Sequence, residues 1–296
     1  MFSLAECVPW LAVTLMLSLA IIILNLITII VFIKNRNLRK RSTYLMINLA
    51  VVDLLAGVIA IENFVIVVGA YSCNLWKDGV PDKLRGYMTI PRVLFPVASV
   101  TNIAAISLER LNTTFWPMRH RVMQKWIYSL IVATTWATAG LVSIWFGVLQ
   151  QSKELSHSFY LWNSFNSVCL LIISISYVSI VIKYRCGAQP QHHGAASRER
   201  KLTMTLFIVT FVSMLMWLPF VMSGFLVFAT DIFSSLSIIA SHRLNITVIA
   251  LYYANSLVNP ILYTARMPHF RRALVAVLCK RPQQLNQARV IPLRDM

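Results

Sequence analysis

Apolar residues fall in seven long runs, at 10–33, 43–70, 87–113, 126–149, 160–182, 202–230 and 244–265. Short stretches between them hold most of the charge. A helix of ~20 apolar residues crosses the hydrocarbon core of a bilayer, so each run predicts one transmembrane helix. Seven spans leave little chain over. The pattern therefore predicts an all-α bundle forming one membrane domain at 10–265, a short N-terminal segment at 1–9 and a C-terminal segment at 266–296. The first run lacks a basic leader and is long enough to span by itself, so it reads as a helix and not as a cleavable signal. Composition agrees: 58% of residues are hydrophobic and 12% charged, against about 25% charged in an average soluble domain.

Charge then orients the bundle. A net charge of +17 raises the question of a nucleic-acid partner, but its distribution points elsewhere. With the N-terminus outside, 21 of the 27 Lys and Arg fall in the three inner loops and the tail, and six fall outside. The positive-inside rule then places the N-terminus outside and the C-terminus in the cytoplasm. An odd number of spans requires opposite ends, in agreement. No nucleic acid is expected as a partner. After the last span, Phe270-Arg271-Arg272-Ala273-Leu274-Val275 predicts a short basic amphipathic helix along the inner membrane surface.

Polar residues inside the spans carry the candidate chemistry. The first span is uncharged and is interrupted by Asn25, which reads as interhelical glue. The second contains Asn48-Leu49-Ala50-Val51-Val52-Asp53; an intramembrane Asp is costly and marks a functional site by default. Glu62, nine residues on, either lines a ligand cavity or reaches toward the outer water. The third ends in Ser107-Leu108-Glu109-Arg110-Leu111 and the sixth contains Met216-Trp217-Leu218-Pro219. The seventh holds Asn255-Ser256-Leu257-Val258-Asn259-Pro260-Ile261-Leu262-Tyr263. A helical Pro removes an N–H, and in lipid the freed carbonyl must find another partner. His192 and His193 lie in a short loop without further ligands at zinc-site spacing and read as solvated.

These stretches, in order and at these spacings, resemble the motifs of rhodopsin-like G-protein-coupled receptors, over nearly the whole chain. The seventh-helix stretch resembles the NPxxY motif. Glu109-Arg110 resembles the Asp/Glu-Arg-Tyr motif with Leu111 in place of Tyr, followed by Pro117. Trp217 and Pro219 resemble the toggle motif, with Met216 for the usual Cys and Ser213 for the usual aromatic one turn earlier. Trp136 and Tyr177 match single family positions, whereas Cys169 stands where the family usually has Pro. The resemblance implies a seven-transmembrane receptor in the plasma membrane, not an enzyme, that converts binding of an extracellular ligand into activation of a heterotrimeric G protein. It implies an activation switch at Glu109, Arg110, Tyr177, Glu199, Trp217, Pro219, Asn259, Pro260 and Tyr263. Arg110 would pair with Glu109 and with Glu199 on the sixth helix. It implies an allosteric sodium ion, and no other cofactor, at Asp53, Ser99, Asn255, Ser256 and Asn259. Ligand contacts would come from Arg92, Glu62 and Trp217. Arg92 would either be neutralised by Glu62 or recognise an acidic group on the ligand, since guanidinium binds carboxylate bidentately. Cys279, after the amphipathic stretch, is either palmitoylated to hold membrane lipid or a free thiol.

Departures from the family narrow the field. The usual bridge from the top of the third helix cannot form, because the matching position is Arg85 and the second outer loop has no Cys. Cys7 and Cys73 are left on the oxidising side, where they either pair or stay loose. Loss of that bridge and of the fifth-helix Pro resembles the melanocortin, cannabinoid and lysophospholipid receptors, although Asn259 replaces the melanocortin Asp. An opsin would need a Lys where Tyr253 stands, and an aminergic receptor an Asp where Arg92 stands. A polytopic transporter is the alternative from another class, but no internal repeat or paired broken helix is present. An intramembrane enzyme lacks both a His-Glu-x-x-His and a Gly-x-Ser elbow.

Overall fold

In the computed structural model the described residues are 3–35, 38, 42–74, 82–118, 124–152, 155–186, 195–229 and 237–279. The side chains of 82–87, 184–186, 195–203 and a few other residues near helix ends lie outside that description. Seven long helices are present: α1 Leu4–Lys34, α2 Thr43–Phe64, α3 Asp82–Phe115, α4 Lys125–Gln151, α5 Leu155–Cys186, α6 Ala195–Ala229 and α7 Ile238–Arg266. A short α8, Pro268–Leu278, follows. Helix α2 continues as a π-helix over Val65–Ser72, and no strand occurs among the described residues. Six of the seven are apolar over a full membrane crossing; in α6 the described apolar stretch is Phe211–Leu226.

The bundle is apolar outside and polar inside. On α5, Val168, Leu171, Ile175, Val178 and Ile182 are exposed; three- and four-residue spacing makes them one stripe facing lipid. Asn25, Asp53, Ser99, Asn102, Ser107, Asn255, Ser256 and Asn259 are buried. Lipid offers no hydrophobic drive between helices, so packing and interhelical hydrogen bonds hold them. Asn102 Nδ2 donates to Leu45 O at 3.0 Å and Trp136 Nε1 to Asn48 Oδ1 at 3.0 Å, tying α3 and α4 to α2. Helix α3 touches α2, α4, α5 and α6, while α7 closes the ring against α1 and α6.

One difference from expectation lies at the N-terminal end. Helix α1 begins at Leu4 and not at residue 10. Two polar residues in this extra turn are occupied: Cys7 forms a disulfide with Cys73, with Cα atoms 5.7 Å apart, and Glu6 pairs with Arg243 of α7. Cys73 closes the π-helical end of α2, so the tops of α1, α2 and α7 are joined. Helix α8 forms where the basic amphipathic stretch predicted it. Its Phe270 is buried against Phe32 at 5.1 Å between ring centroids, and Arg271 and Arg272 are exposed.

Candidate functional site

Three polar layers follow one another through the bundle. The middle layer surrounds Asp53, which is wholly buried. Its Oδ1 accepts from Ser99 Oγ of α3 at 2.9 Å and from Ser256 Oγ of α7 at 3.0 Å. Its Oδ2 accepts from Asn259 Nδ2 at 2.7 Å. Three helices therefore meet on one carboxylate. Asn255 is buried nearby in the chain, and the side-chain oxygens of both Asn255 and Asn259 are buried without a hydrogen-bond partner. One carboxylate, two hydroxyls and two uncommitted amide oxygens suit a small monovalent cation. A calcium site takes more oxygens and more carboxylate charge, and no group of three His, Cys, Asp or Glu occurs among the described residues.

The Pro260 carbonyl problem is solved by the first helix. Pro260 cannot donate to the carbonyl four residues back, Ser256 O. Asn25 Nδ2 donates to that oxygen at 3.0 Å, and to Ile21 O at 2.9 Å. Asn25 is thus more than glue: it satisfies the carbonyl beside the Asp53 cluster. Tyr263, one turn beyond Pro260, is buried with its ring 6.0 Å from both Phe32 and Phe270.

At the layer on the C-terminal part of α3, Arg110 is 1% exposed and is paired with Glu109; its Nε donates to Glu109 Oε2 at 2.5 Å. The same carboxylate accepts from the Tyr128 hydroxyl of α4 at 3.3 Å. Tyr128 was not a candidate in the sequence, because nothing local marks a Tyr at the start of a span as a partner of α3. Tyr177 is buried on α5 with its ring 5.6 Å from Phe207 of α6. Glu199 lies in α6, but its side chain falls outside the described residues. Lys183 of α5 sits 4.4 Å from the Phe115 ring centroid, joining the inner ends of α3 and α5.

At the layer on the N-terminal part of α3, Arg92 Nε and Nη2 reach Glu62 Oε2 at 3.3 Å and Oε1 at 2.5 Å. The two side chains are 21% and 22% exposed, so the pair formed under the first alternative for Arg92 is reachable from water. Beside it, Asn63 Nδ2 donates to the Tyr253 hydroxyl at 3.3 Å. Trp217 of α6 is buried 5.3 Å from the Tyr252 ring. Ser213, below it, is buried with an unbonded hydroxyl. A gap lined by Val100, Ile103, Leu170, Ile173, Ser213, Met214 and Trp217 remains beneath the indole. Pro219 lies inside α6. Cys279, just after α8, is exposed and free.

Comparison with known proteins agrees with this layout. The family model for the 7 transmembrane receptor (rhodopsin family) matches residues 24–263. The human melanocortin receptor 3 is 25% identical over 275 residues, covering 89% of this chain and 84% of that receptor. The human histamine H2 receptor is 27% identical over 315 residues, covering 93% and 82%. The somatostatin receptor type 5 of Bos taurus is 26% identical over 279 residues, covering 87% and 72%. All are receptors, neither transporters nor enzymes. A bundle of seven membrane helices with these matches identifies the chain as a member of the rhodopsin family of G-protein-coupled receptors.

Proposed function

We propose that this receptor sits in the plasma membrane with its N-terminus outside. It takes its ligand in the outer half of the bundle, between Trp217 and the Arg92–Glu62 pair, and admits a heterotrimeric G protein beside Arg110. The Cys7–Cys73 disulfide supports the orientation, because disulfides persist on the oxidising side. So does the charge count, with 21 of 27 basic residues on the opposite side. The observation that carries the mechanism is the Asp53 cluster, where α2, α3 and α7 share one buried carboxylate. A ligand shifts the population between two packings only through a difference in its affinity for them. Rearrangement of α6 about Pro219 and of α7 about Pro260 would loosen the cluster and release Arg110 from Glu109. Tyr177 and Tyr263 would then repack, and Glu199 would restrain α6 at rest. Exposed Cys279 would carry an acyl chain that holds α8 to membrane lipid.

Asp53, Ser99, Asn255, Ser256 and Asn259 would hold sodium in the resting packing, where it supplies a counter-charge to the carboxylate. Asp53 would supply the charge, and the hydroxyls of Ser99 and Ser256 with the amide oxygens of Asn255 and Asn259 would supply the neutral oxygen ligands. A ligand screen in transfected cells, read by G-protein activation, tests the receptor reading. With an agonist in hand, sodium is expected to weaken its binding, and Asp53→Asn to abolish that effect. Sodium sensitivity that survives in the mutant rejects the cation site.

A further inference from the structure

At the end of the bundle away from Arg110, helices α5, α6 and α7 bury hydrogen-bonding atoms that the receptor does not satisfy. On α5 these are Trp162 Nε1, Asn163 Oδ1 and Asn166 Oδ1, and on α7 the Tyr252 hydroxyl. The four residues are 9%, 1%, 0% and 6% exposed, so all are at least nine-tenths buried. Buried polar atoms are nearly always paired with protein, water or ligand. Four such atoms, two donors and two oxygen acceptors, on helices that meet at Trp162 and Tyr252 leave hydrogen bonds for another molecule to complete.

Local packing sets the orientation of these groups. Asn166 Nδ2 donates to Trp162 O at 2.9 Å, which fixes that amide and leaves its oxygen free. Asn163 lies over Gly224 of α6; a Cβ there would stand 2.9 Å from Asn163 Cγ and Oδ1, so a larger residue would push the amide aside. The Trp162 ring is 5.0 Å from Phe220 and 6.2 Å from Tyr252, and Phe220 is 4.4 Å from Tyr252. Flat rings and polar tips thus share one wall. No Asp, Glu, Lys or Arg occurs in 156–170, 211–226 or 246–256. Of the nearby charges, Arg92 is spent on Glu62 and Arg243 on Glu6.

We infer that the ligand presents to this wall a neutral planar group bearing both a hydrogen-bond acceptor and a donor, such as an amide on a ring. This rests on the reading of the outer half as the ligand site. Trp162 Nε1 and the Tyr252 hydroxyl donate to its carbonyl, Asn163 and Asn166 Oδ1 accept from its N–H, and the rings flank its faces. An ammonium or carboxylate placed here would lose its hydration with no counter-charge.

The test uses the full-length receptor in lipid nanodiscs and three probes built on the same ring: benzamide, benzamidinium and benzoate. Thermal unfolding is followed against probe concentration. Benzamide is expected to raise Tm with rising concentration, as a ligand that binds only the folded state does. Both ions are expected to raise it much less. Tyr252→Phe, Asn166→Leu and Gly224→Ala should each remove most of the benzamide shift. No benzamide shift overturns the inference. A shift by either ion that equals or exceeds that of benzamide, yet is lost in the variants, keeps the outer half as the site and overturns the neutral class. A benzamide shift untouched by all three variants places the probe elsewhere and overturns the site itself.

Discussion

A single hydroxyl on α4 governs how firmly Arg110 is held. Among the groups on the Glu109 carboxylate are the Arg110 guanidinium and the Tyr128 hydroxyl, 3.3 Å away. Tyr128 acts by fixing the carboxylate that holds Arg110. Tyr128→Phe keeps the buried ring and deletes one hydrogen bond to a charged acceptor, which is worth about 1.5–3 kcal/mol. At this distance the low end applies, and about 1.4 kcal/mol is tenfold in an equilibrium. Basal nucleotide exchange on a purified G protein is expected to rise several-fold in Tyr128→Phe at matched receptor concentration. Unfolding temperature should fall by only about a few degrees, and a basal rise in fully folded receptor separates release of Arg110 from general loosening. Unchanged basal exchange would mean that the Tyr128 hydroxyl does not restrain Arg110. Asn25 offers a second case: Asn25→Leu leaves Ser256 O facing apolar surroundings, at a cost of about 1–3 kcal/mol. Lower thermal stability in nanodiscs is the expected outcome, and an unchanged Tm would show that Ser256 O finds another donor.

Helices as units were the most legible part of the chain. All seven runs became helices because length and apolarity suffice to specify a span in lipid. The polar residues of α2, α3 and α7 were legible too, since their cost in lipid leaves few bland explanations. Which of them meet was visible only through the family resemblance, and Asp53, Ser99, Ser256 and Asn259 do converge. Partners that depend on how far one helix is rotated against another were not legible. Tyr128 with Glu109 is such a case, as are the unsatisfied tips of Trp162 and Tyr252. The start of α1 was misplaced because Glu6 and Cys7 look like loop residues until their partners on α7 and at the end of α2 are known. That staple yields a prediction of its own. Peptide mapping without reduction should recover Cys7 and Cys73 in one cross-linked fragment. Cys7→Ser should lower the unfolding temperature by freeing the π-helical end of α2. Two free thiols in the native receptor would contradict the joined helix tops.

At the scale of the whole molecule, the three polar layers follow one another along the bundle, and α3 contributes to each. Arg92, Ser99 and Arg110 are spaced along this one helix, so a shift of α3 against α2 would be felt at all three. The outer layer decides what such a shift costs at rest. Glu62 neutralises Arg92 with two contacts, and the partial exposure of both side chains means that water screens the pair and lowers its worth. Removing one partner leaves the other charge without its mate, whereas exchanging the two preserves the pair. Arg92→Ala should therefore lower surface expression and agonist response together, and Arg92→Glu combined with Glu62→Arg should restore both to the same ligand. Restoration is also what a neutral ligand requires, since such a ligand is indifferent to which helix carries the cation. If the exchanged receptor reaches the surface normally and still fails to respond, the guanidinium at position 92 touches the ligand directly. The pair would then be a recognition element and not a clasp between α2 and α3.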